Sequence, residues 1–148
     1  MKLEHRIVVR APRGPVWDSL MDLPEVALCV PGVEALTPHG DDRYEGHLRV
    51  GVGPIRLNLG GELELVSRDD EAGRAVLRGN GTDARLGGGV RVLLTLSVAE
   101  LDGGRTQLTI ESDVQVLGRI GELGQPIMKR KADDLMRAFA DCLSQRLQ

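Results

Sequence analysis

Residues 106–147 read TQLTIESDVQVLGRIGELGQPIMKRKADDLMRAFADCLSQRL, and most of the architecture follows from them. Residues 106–116 alternate between apolar and polar side chains, which is typical of a β-strand with one buried and one wet face. From about Gly118 to Leu147 an apolar stripe recurs with the period of an α-helix. One long amphipathic helix should therefore cover one antiparallel sheet. The predicted stripe contains Ile120, Gly124, Ile127, Met128, Leu135, Phe139 and Cys142.

Further strands are predicted wherever the same alternation recurs earlier in the chain. Turn sequences rich in Gly and Asp separate them, so consecutive strands should form an antiparallel meander. Two helices should follow the first strand, one over residues 13 to about 28 and a short second one restarted by Pro24. The other predicted strands lie around residues 3–9, 44–50, 55–65, 74–81 and 90–98.

Length and charge limit the classes of protein to consider. The chain has 148 residues, enough for one domain over residues 1–148 with a single sizeable core. Its 19 basic and 22 acidic residues give a formal net charge of -3, and both signs are scattered. The aromatic residues are Trp17, Tyr44 and Phe139, too few to provide stacking surfaces for nucleic acid. No nucleic-acid partner is expected.

The N-terminal sequence and the cysteines indicate the cytoplasm. The start MKLEHRIVVRAP lacks the apolar core of a signal peptide, and no apolar run approaches the roughly 20 residues that span a bilayer. The two cysteines, Cys29 and Cys142, show no CxxC spacing and are too few for a secreted disulfide framework. Reduced thiols are therefore expected.

Several short motifs resemble a known family. Ala11-Pro12, followed by Val16-Trp17 and Leu20, resembles the first-helix signature of the START-like (SRPBCC) helix-grip superfamily. Three more specific motifs resemble the carbon monoxide dehydrogenase CoxG family, and the similarity spans essentially the whole chain. They are Cys29-Val30-Pro31-Gly32, Val50-Gly51-Val52-Gly53-Pro54-Ile55, and the GxxxxLG pattern of residues 118–124.

The resemblance implies an α+β helix-grip fold. In that fold a curved antiparallel sheet of about seven strands wraps a long C-terminal helix, two short helices follow the first strand, and a cavity remains between sheet and helix. The residues predicted to line this cavity are Trp17, Leu20, Cys29, Pro31, Gly32, Tyr44, Leu48, Leu59, Leu77, Leu94, Ile120, Gly124, Ile127, Met128 and Lys131.

For function, the resemblance implies a non-catalytic accessory role beside a molybdenum-containing hydroxylase such as carbon monoxide dehydrogenase. That role is either recruitment of the enzyme to the membrane or carriage of a quinone-like or lipid ligand in the cavity. The expected partners are this hydrophobic molecule, the hydroxylase and, peripherally, the inner face of the plasma membrane; no tightly bound cofactor is expected. The sequence ends at Gln148, directly after the predicted helix, so permanent anchoring is not expected.

The residues themselves show no evident catalytic or metal-binding set. His39 lies in a predicted turn and His47 on the polar side of its strand, so only His5 should point inward. No second ligand lies at metal spacing from His5, and an ordinary half-buried histidine is favoured over a metal ligand. An enzyme of the polyketide-cyclase or aromatase kind, and an assembly factor with a collapsed cavity, remain alternatives because one fold hosts many functions.

Three kinds of residue invite more than one interpretation. Gly46, Gly61, Gly79 and Gly81 occupy inward positions, where they either permit strong curvature or leave volume for a ligand. Lys131 either extends its ammonium to water or meets a polar group at the cavity rim, and the first interpretation is favoured. Cys29 is interpreted as a small apolar residue of the wall rather than a nucleophile, because no histidine is close in sequence.

Overall fold

The computed structural model describes residues 1–147, and within them it contains seven β-strands and three α-helices. The strands are β1 (Lys2–Val9), β2 (Val33–Pro38), β3 (Arg43–Val52), β4 (Ile55–Asp69), β5 (Arg74–Asp83), β6 (Gly88–Leu101) and β7 (Arg105–Gly118). The helices are α1 (Arg13–Met21), α2 (Leu23–Val26) and α3 (Gln125–Arg146).

All seven strands form one antiparallel sheet in the order β1-β7-β6-β5-β4-β3-β2. Strands β2 to β7 form the predicted meander, and β1 closes it by pairing with β7, from Lys2 opposite Asp113 to Val9 opposite Thr106. The two short helices occupy the connection between β1 and β2. The predicted helix-grip architecture is confirmed. No helix within the described residues is long and apolar enough to cross a membrane.

The long helix begins later than the sequence predicts. The prediction of a helix from Gly118 is wrong, because residues Arg119–Leu123 form a 3₁₀ turn and α3 starts at Gln125. Gly118 and Gly124 flank that turn with φ of 71° and 87°, in the left-handed region that α-helices exclude. Pro126 then occupies the first turn of α3, where its missing N–H costs nothing.

Two apolar clusters hold the sheet and helices together. The main one packs α1, α2 and the C-terminal half of α3 against the inner face of the sheet, with Val9, Leu20, Leu108 and Leu143 almost fully buried. A smaller cluster lies at the other end of the strands around Val52, Leu57, Leu59 and Ile120. Ile127, predicted to share the apolar stripe, is 38% exposed because it lies in the first turn of α3, beyond the main cluster.

The two cysteines are joined, so the prediction of reduced thiols is wrong. A disulfide bond connects Cys29 and Cys142, whose Cα atoms are 5.4 Å apart although 113 positions separate them in sequence. Cys29 lies in a 3₁₀ turn after α2, and Cys142 lies near the end of α3. The fold brings the two residues together because α3 runs back across the sheet to the segment that follows α2. The bond fixes that segment to the helix.

The Pro31-Gly32 turn directs the chain from this segment into β2, as predicted. Gly32 has a φ of 92°, and a side chain there would overlap the carbonyl oxygen of Arg49 in β3. The Arg49 N–H donates to the carbonyl oxygen of Gly32 over 2.9 Å. Glycine is therefore required at position 32 both for backbone conformation and for the close approach of β3.

Candidate ligand cavity

A cavity of about 340 Å³ lies between α3, the α2 segment and the inner face of β2 to β7. This volume is within the range of roughly 300–1,000 Å³ that is usual for small-molecule sites. The apolar side chains that line it belong to Leu20, Leu23, Val26, Ala27, Val30, Val33, Leu36, Leu48, Leu59, Leu63, Leu77, Leu94, Leu96, Ile110, Leu135, Met136 and Phe139.

The rest of the wall is glycine or lies next to glycine. The remaining lining residues are Gly46, Gly61 and Gly81, together with His47, Glu62 and Asn80, each of which adjoins one of those glycines in sequence. The three polar residues are exposed on the outer face of the sheet. The interior of the cavity is therefore suited to a hydrophobic molecule.

Three of the four glycines serve both purposes that the sequence leaves open, whereas Gly79 does not line the main cavity. Gly46 pairs with Gly61 and Gly61 with Gly81, so three adjacent strands carry a row of glycines along the cavity. A Cβ atom on Gly61 would overlap the carbonyl oxygen of Asn80, which shows that the main chains of β4 and β5 approach too closely for a side chain. The row of glycines therefore permits the close approach of neighbouring strands, and its missing side chains leave volume in the main cavity.

A second, smaller cavity of about 130 Å³ lies near the smaller apolar cluster. Leu59 borders both cavities, and Ile120, Met128 and Lys131 line only the smaller one. Lys131 is half-buried there among apolar side chains. A larger depression of about 840 Å³ involves β5, β6 and β7, but its lining mixes apolar side chains with Arg78, Arg91, Asp113 and other polar residues, so it is less uniformly apolar than the main cavity.

The predicted cavity residues fall into three groups. Leu20, Leu48, Leu59, Leu77 and Leu94 line the main cavity. Ile120, Met128 and Lys131 line the smaller one. Seven predicted residues line neither cavity: Trp17, Cys29, Pro31, Gly32, Tyr44, Gly124 and Ile127.

Three of these outlying residues have other contacts. The Trp17 indole donates to Asp70 in the β4–β5 hairpin over 2.9 Å, which ties α1 to that hairpin. Cys29 is 3% exposed within the main apolar cluster, and its neighbour Val30 reaches the cavity instead. Tyr44 packs against the same cluster. Sequence reasoning missed the contributions of Val30, Val33 and Leu36, because they lie on both sides of the Pro31-Gly32 turn and their spacing of three is not the two-residue period of a strand.

One imidazole–carboxylate pair lies partly buried between β1 and α3. His5 on the inner face of β1 and Asp133 on α3 are 2.7 Å apart, with 16% and 42% of their side chains exposed. This hydrogen bond is the main cause that holds the pKa of the Asp133 carboxyl below its usual value. The other ring nitrogen, Nδ1, is buried with no hydrogen-bond partner in the described residues. The pair joins β1 to α3 and lies outside both cavity walls.

A group of three exposed side chains brings possible metal ligands together on the sheet surface. His39, Glu45 and Glu62 have ligand atoms within 4.8 Å of one another, because β2, β3 and β4 are adjacent. The sequence does not predict this group, since 23 positions separate His39 from Glu62. Exposed acidic groups are common without a bound ion, so the arrangement assigns no metal site.

Asp83 is a buried carboxylate that organises the loop between β5 and β6. It is 3% exposed and accepts hydrogen bonds from the main-chain N–H groups of Asn58, Arg85 and Leu86 at 2.9, 3.0 and 3.2 Å. The N–H of Asn58 is the largest cause that lowers the pKa of this carboxyl. The role of Asp83 is structural.

Replacement of Asp83 by alanine should lower the free energy of unfolding by about 2–3 kcal/mol, because main-chain N–H groups lose their buried acceptor. The stabilisation is present above the unfolded pKa of about 3.9 and is lost as pH falls through the lower folded pKa. Denaturant unfolding should therefore show a gap between wild type and Asp83→Ala that narrows below about pH 4. Asp102→Ala is the exposed control, and a gap that does not change with pH would contradict this role.

Comparison with known proteins supports the same fold. The family model for carbon monoxide dehydrogenase CoxG matches residues 6–148. The crystal structure of a conserved protein from Geobacillus kaustophilus is similar with a TM-score of 0.89 and 21% identity, covering 99% of this chain and 95% of that one. A search of curated protein sequences gave no match.

Two enzymes with solved structures are also similar. The ZhuI aromatase/cyclase from Streptomyces sp. R1128 has a TM-score of 0.67 and 21% identity, covering 100% of this chain and 96% of that one. Truncated norcoclaurine synthase from Thalictrum flavum has a TM-score of 0.65 and 16% identity, covering 98% and 91%. At such identities the likeness shows a shared fold and leaves the activity to be argued from the cavity.

Proposed function

Because the chain belongs to the carbon monoxide dehydrogenase CoxG family, we propose that it is a non-catalytic accessory protein that carries a hydrophobic, quinone-like molecule in its main cavity. The observation that carries the proposal is the wall itself, in which every inward side chain is apolar. Such a wall stabilises an apolar ring or chain by burial, at roughly 25 cal/mol per Å² of apolar surface removed from water.

The proposed partner is a molybdenum-containing hydroxylase, which the protein assists by membrane recruitment or by transfer of electrons through the bound molecule. This part rests on family membership. The proposal has the protein act in the cytoplasm, with peripheral contact at the inner face of the plasma membrane and no tightly bound cofactor.

An enzyme of the polyketide-cyclase kind is the alternative that one observation favours. His5 and Asp133 form the imidazole–carboxylate pair that general-base catalysis uses. However, a general base must reach the substrate proton within hydrogen-bond distance, and the free Nδ1 of His5 is buried outside both cavity walls. This geometry favours the carrier over the enzyme.

Filling the cavity should weaken ligand binding. Ala27 lines the main cavity, so Ala27→Phe should weaken the binding of a short-chain benzoquinone or naphthoquinone at least tenfold, because the larger side chain occupies the ligand volume. Binding can be followed by quenching of Trp17, the single tryptophan of the chain.

The matched control is Ala99→Phe, which adds the same ring at an exposed position of β6. It should bind the quinone as wild type does. If Ala27→Phe keeps its circular dichroism spectrum and binds with unchanged affinity, the ligand does not occupy this cavity.

A further inference from the structure

One end of the domain concentrates positive charge. We call it the basic end and define it by Arg56, Arg85, Arg119, Lys129, Arg130 and Lys131, all of which are exposed except the half-buried Lys131. These residues come from the start of β4, the β5–β6 loop, the 3₁₀ turn and the first turns of α3. The chain as a whole has a formal net charge of -3, so this surface departs from the overall balance.

Three contacts show that these segments meet. The Arg119 N–H donates to the carbonyl oxygen of Gly87 over 3.4 Å, which joins the 3₁₀ turn to the β5–β6 loop. The Arg85 guanidinium donates to the carbonyl oxygen of Arg56 over 3.0 Å, which joins that loop to β4. A Cβ atom placed on Gly53 would lie 3.5 Å from Ile127, which brings the β3–β4 turn against the start of α3.

The cations of the basic end have no carboxylate partners within 4.0 Å among the described residues. Elsewhere on the sheet Arg43, Arg49 and Arg78 each form ion pairs. Three carboxylates belong to the same region: Asp83, Asp133 and the exposed Glu122 of the 3₁₀ turn. The six cations outnumber these three carboxylates, so the surface keeps an excess of positive charge.

Apolar groups project from the middle of this charged surface. Ile127 is 38% exposed, and Pro54 beside Gly53 is exposed as well. Exposed apolar side chains among lysines and arginines are typical of protein surfaces that lie at a membrane interface, where the apolar groups enter the headgroup region and the cations meet phosphates.

We propose that the basic end is a docking surface for an anionic lipid bilayer. The inference deepens the membrane part of the proposed function and rests on it, but it does not depend on the cavity ligand. A lipid surface fits better than an acidic protein, because the exposed apolar groups of Ile127 and Pro54 lie among the cations, the arrangement that inserts into a headgroup region. It also fits better than nucleic acid, for which aromatic stacking surfaces are missing.

Vesicle sedimentation tests the proposal. Wild type should bind vesicles that contain about 30% phosphatidylglycerol in phosphatidylcholine and should not bind pure phosphatidylcholine. Each cation near a charged bilayer contributes about 1 kcal/mol, so Lys129→Glu with Arg130→Glu should lower the partition coefficient on the order of tenfold or more. Raising the salt to about 0.5 M should release the wild type, because the Debye length then falls to about 4 Å.

The matched control is Arg10→Glu with Arg74→Glu, which makes the same charge change at the opposite end of the strands. It should bind the anionic vesicles nearly as wild type does. The proposal fails if wild type does not bind anionic vesicles, if both vesicle types bind equally, or if control and test variants lose the same affinity. Quinone titration of the variants reports separately on the carrier proposal, since the basic end lies outside the main cavity wall.

Discussion

Loss of the Cys29–Cys142 bond should lower the free energy of unfolding by about 2–5 kcal/mol, the range for native disulfides that close long loops. The loop here spans 113 positions, so the bond removes much of the conformational freedom of the unfolded chain. Loss of the bond should also loosen the segment that carries Val26, Ala27 and Val30 into the cavity wall.

Urea unfolding monitored by Trp17 fluorescence, with and without dithiothreitol, measures this effect. The double variant Cys29→Ser with Cys142→Ser should match the reduced wild type and should not respond to the reductant. Thiol titration of the unreduced, unfolded wild type should find no free thiols. Two free thiols, or equal stability with and without reductant, would contradict the bond.

The second large effect is expected at Gly61. Gly61→Val should lower the free energy of unfolding by roughly 3 kcal/mol, because its Cβ would overlap the carbonyl oxygen of Asn80 and neither main chain can move without breaking the β4–β5 ladder. The larger side chain would also enter the main cavity, which Gly61 borders.

Gly51→Ala is the matched control for this substitution. Gly51 lies in β3, and nothing lies within 4 Å of a Cβ placed there. This change should be neutral or stabilise the protein by up to about 1 kcal/mol, since alanine reduces the freedom of the unfolded chain. If denaturant unfolding shows that both substitutions lower the free energy of unfolding equally, the close approach of β5 to Gly61 is not the cause of the loss.

The regular elements could be predicted because each has a clear period. The alternation in residues 106–116 and in the earlier strands gave the meander, and the stripe through Leu135 and Phe139 gave the long helix. The start of α3 could not be predicted from that stripe, because Ile120 continues the apolar period. The positive φ angles of Gly118 and Gly124, on either side of it, prevent an α-helix there. A hydrophobic pattern indicates which residues are buried, but it does not indicate their backbone φ angles.

The cavity wall was only partly predictable for a related reason. Inward strand residues such as Leu59, Leu77 and Leu94 follow from alternation. Val30 and Val33 flank a turn, and Ala27 lies in a 3₁₀ segment, so no period marks them. The disulfide depends on tertiary contact across 113 positions, which local sequence does not encode.

Extraction of the natively purified protein with organic solvent, followed by mass spectrometry, tests directly whether the protein carries a ligand. We expect a hydrophobic, quinone-like molecule to be recovered from wild type and from Ala99→Phe, and to be depleted from Ala27→Phe. Repeated recovery of no such molecule from wild type, together with no quinone binding in titration, would contradict the proposal that the cavity carries a ligand.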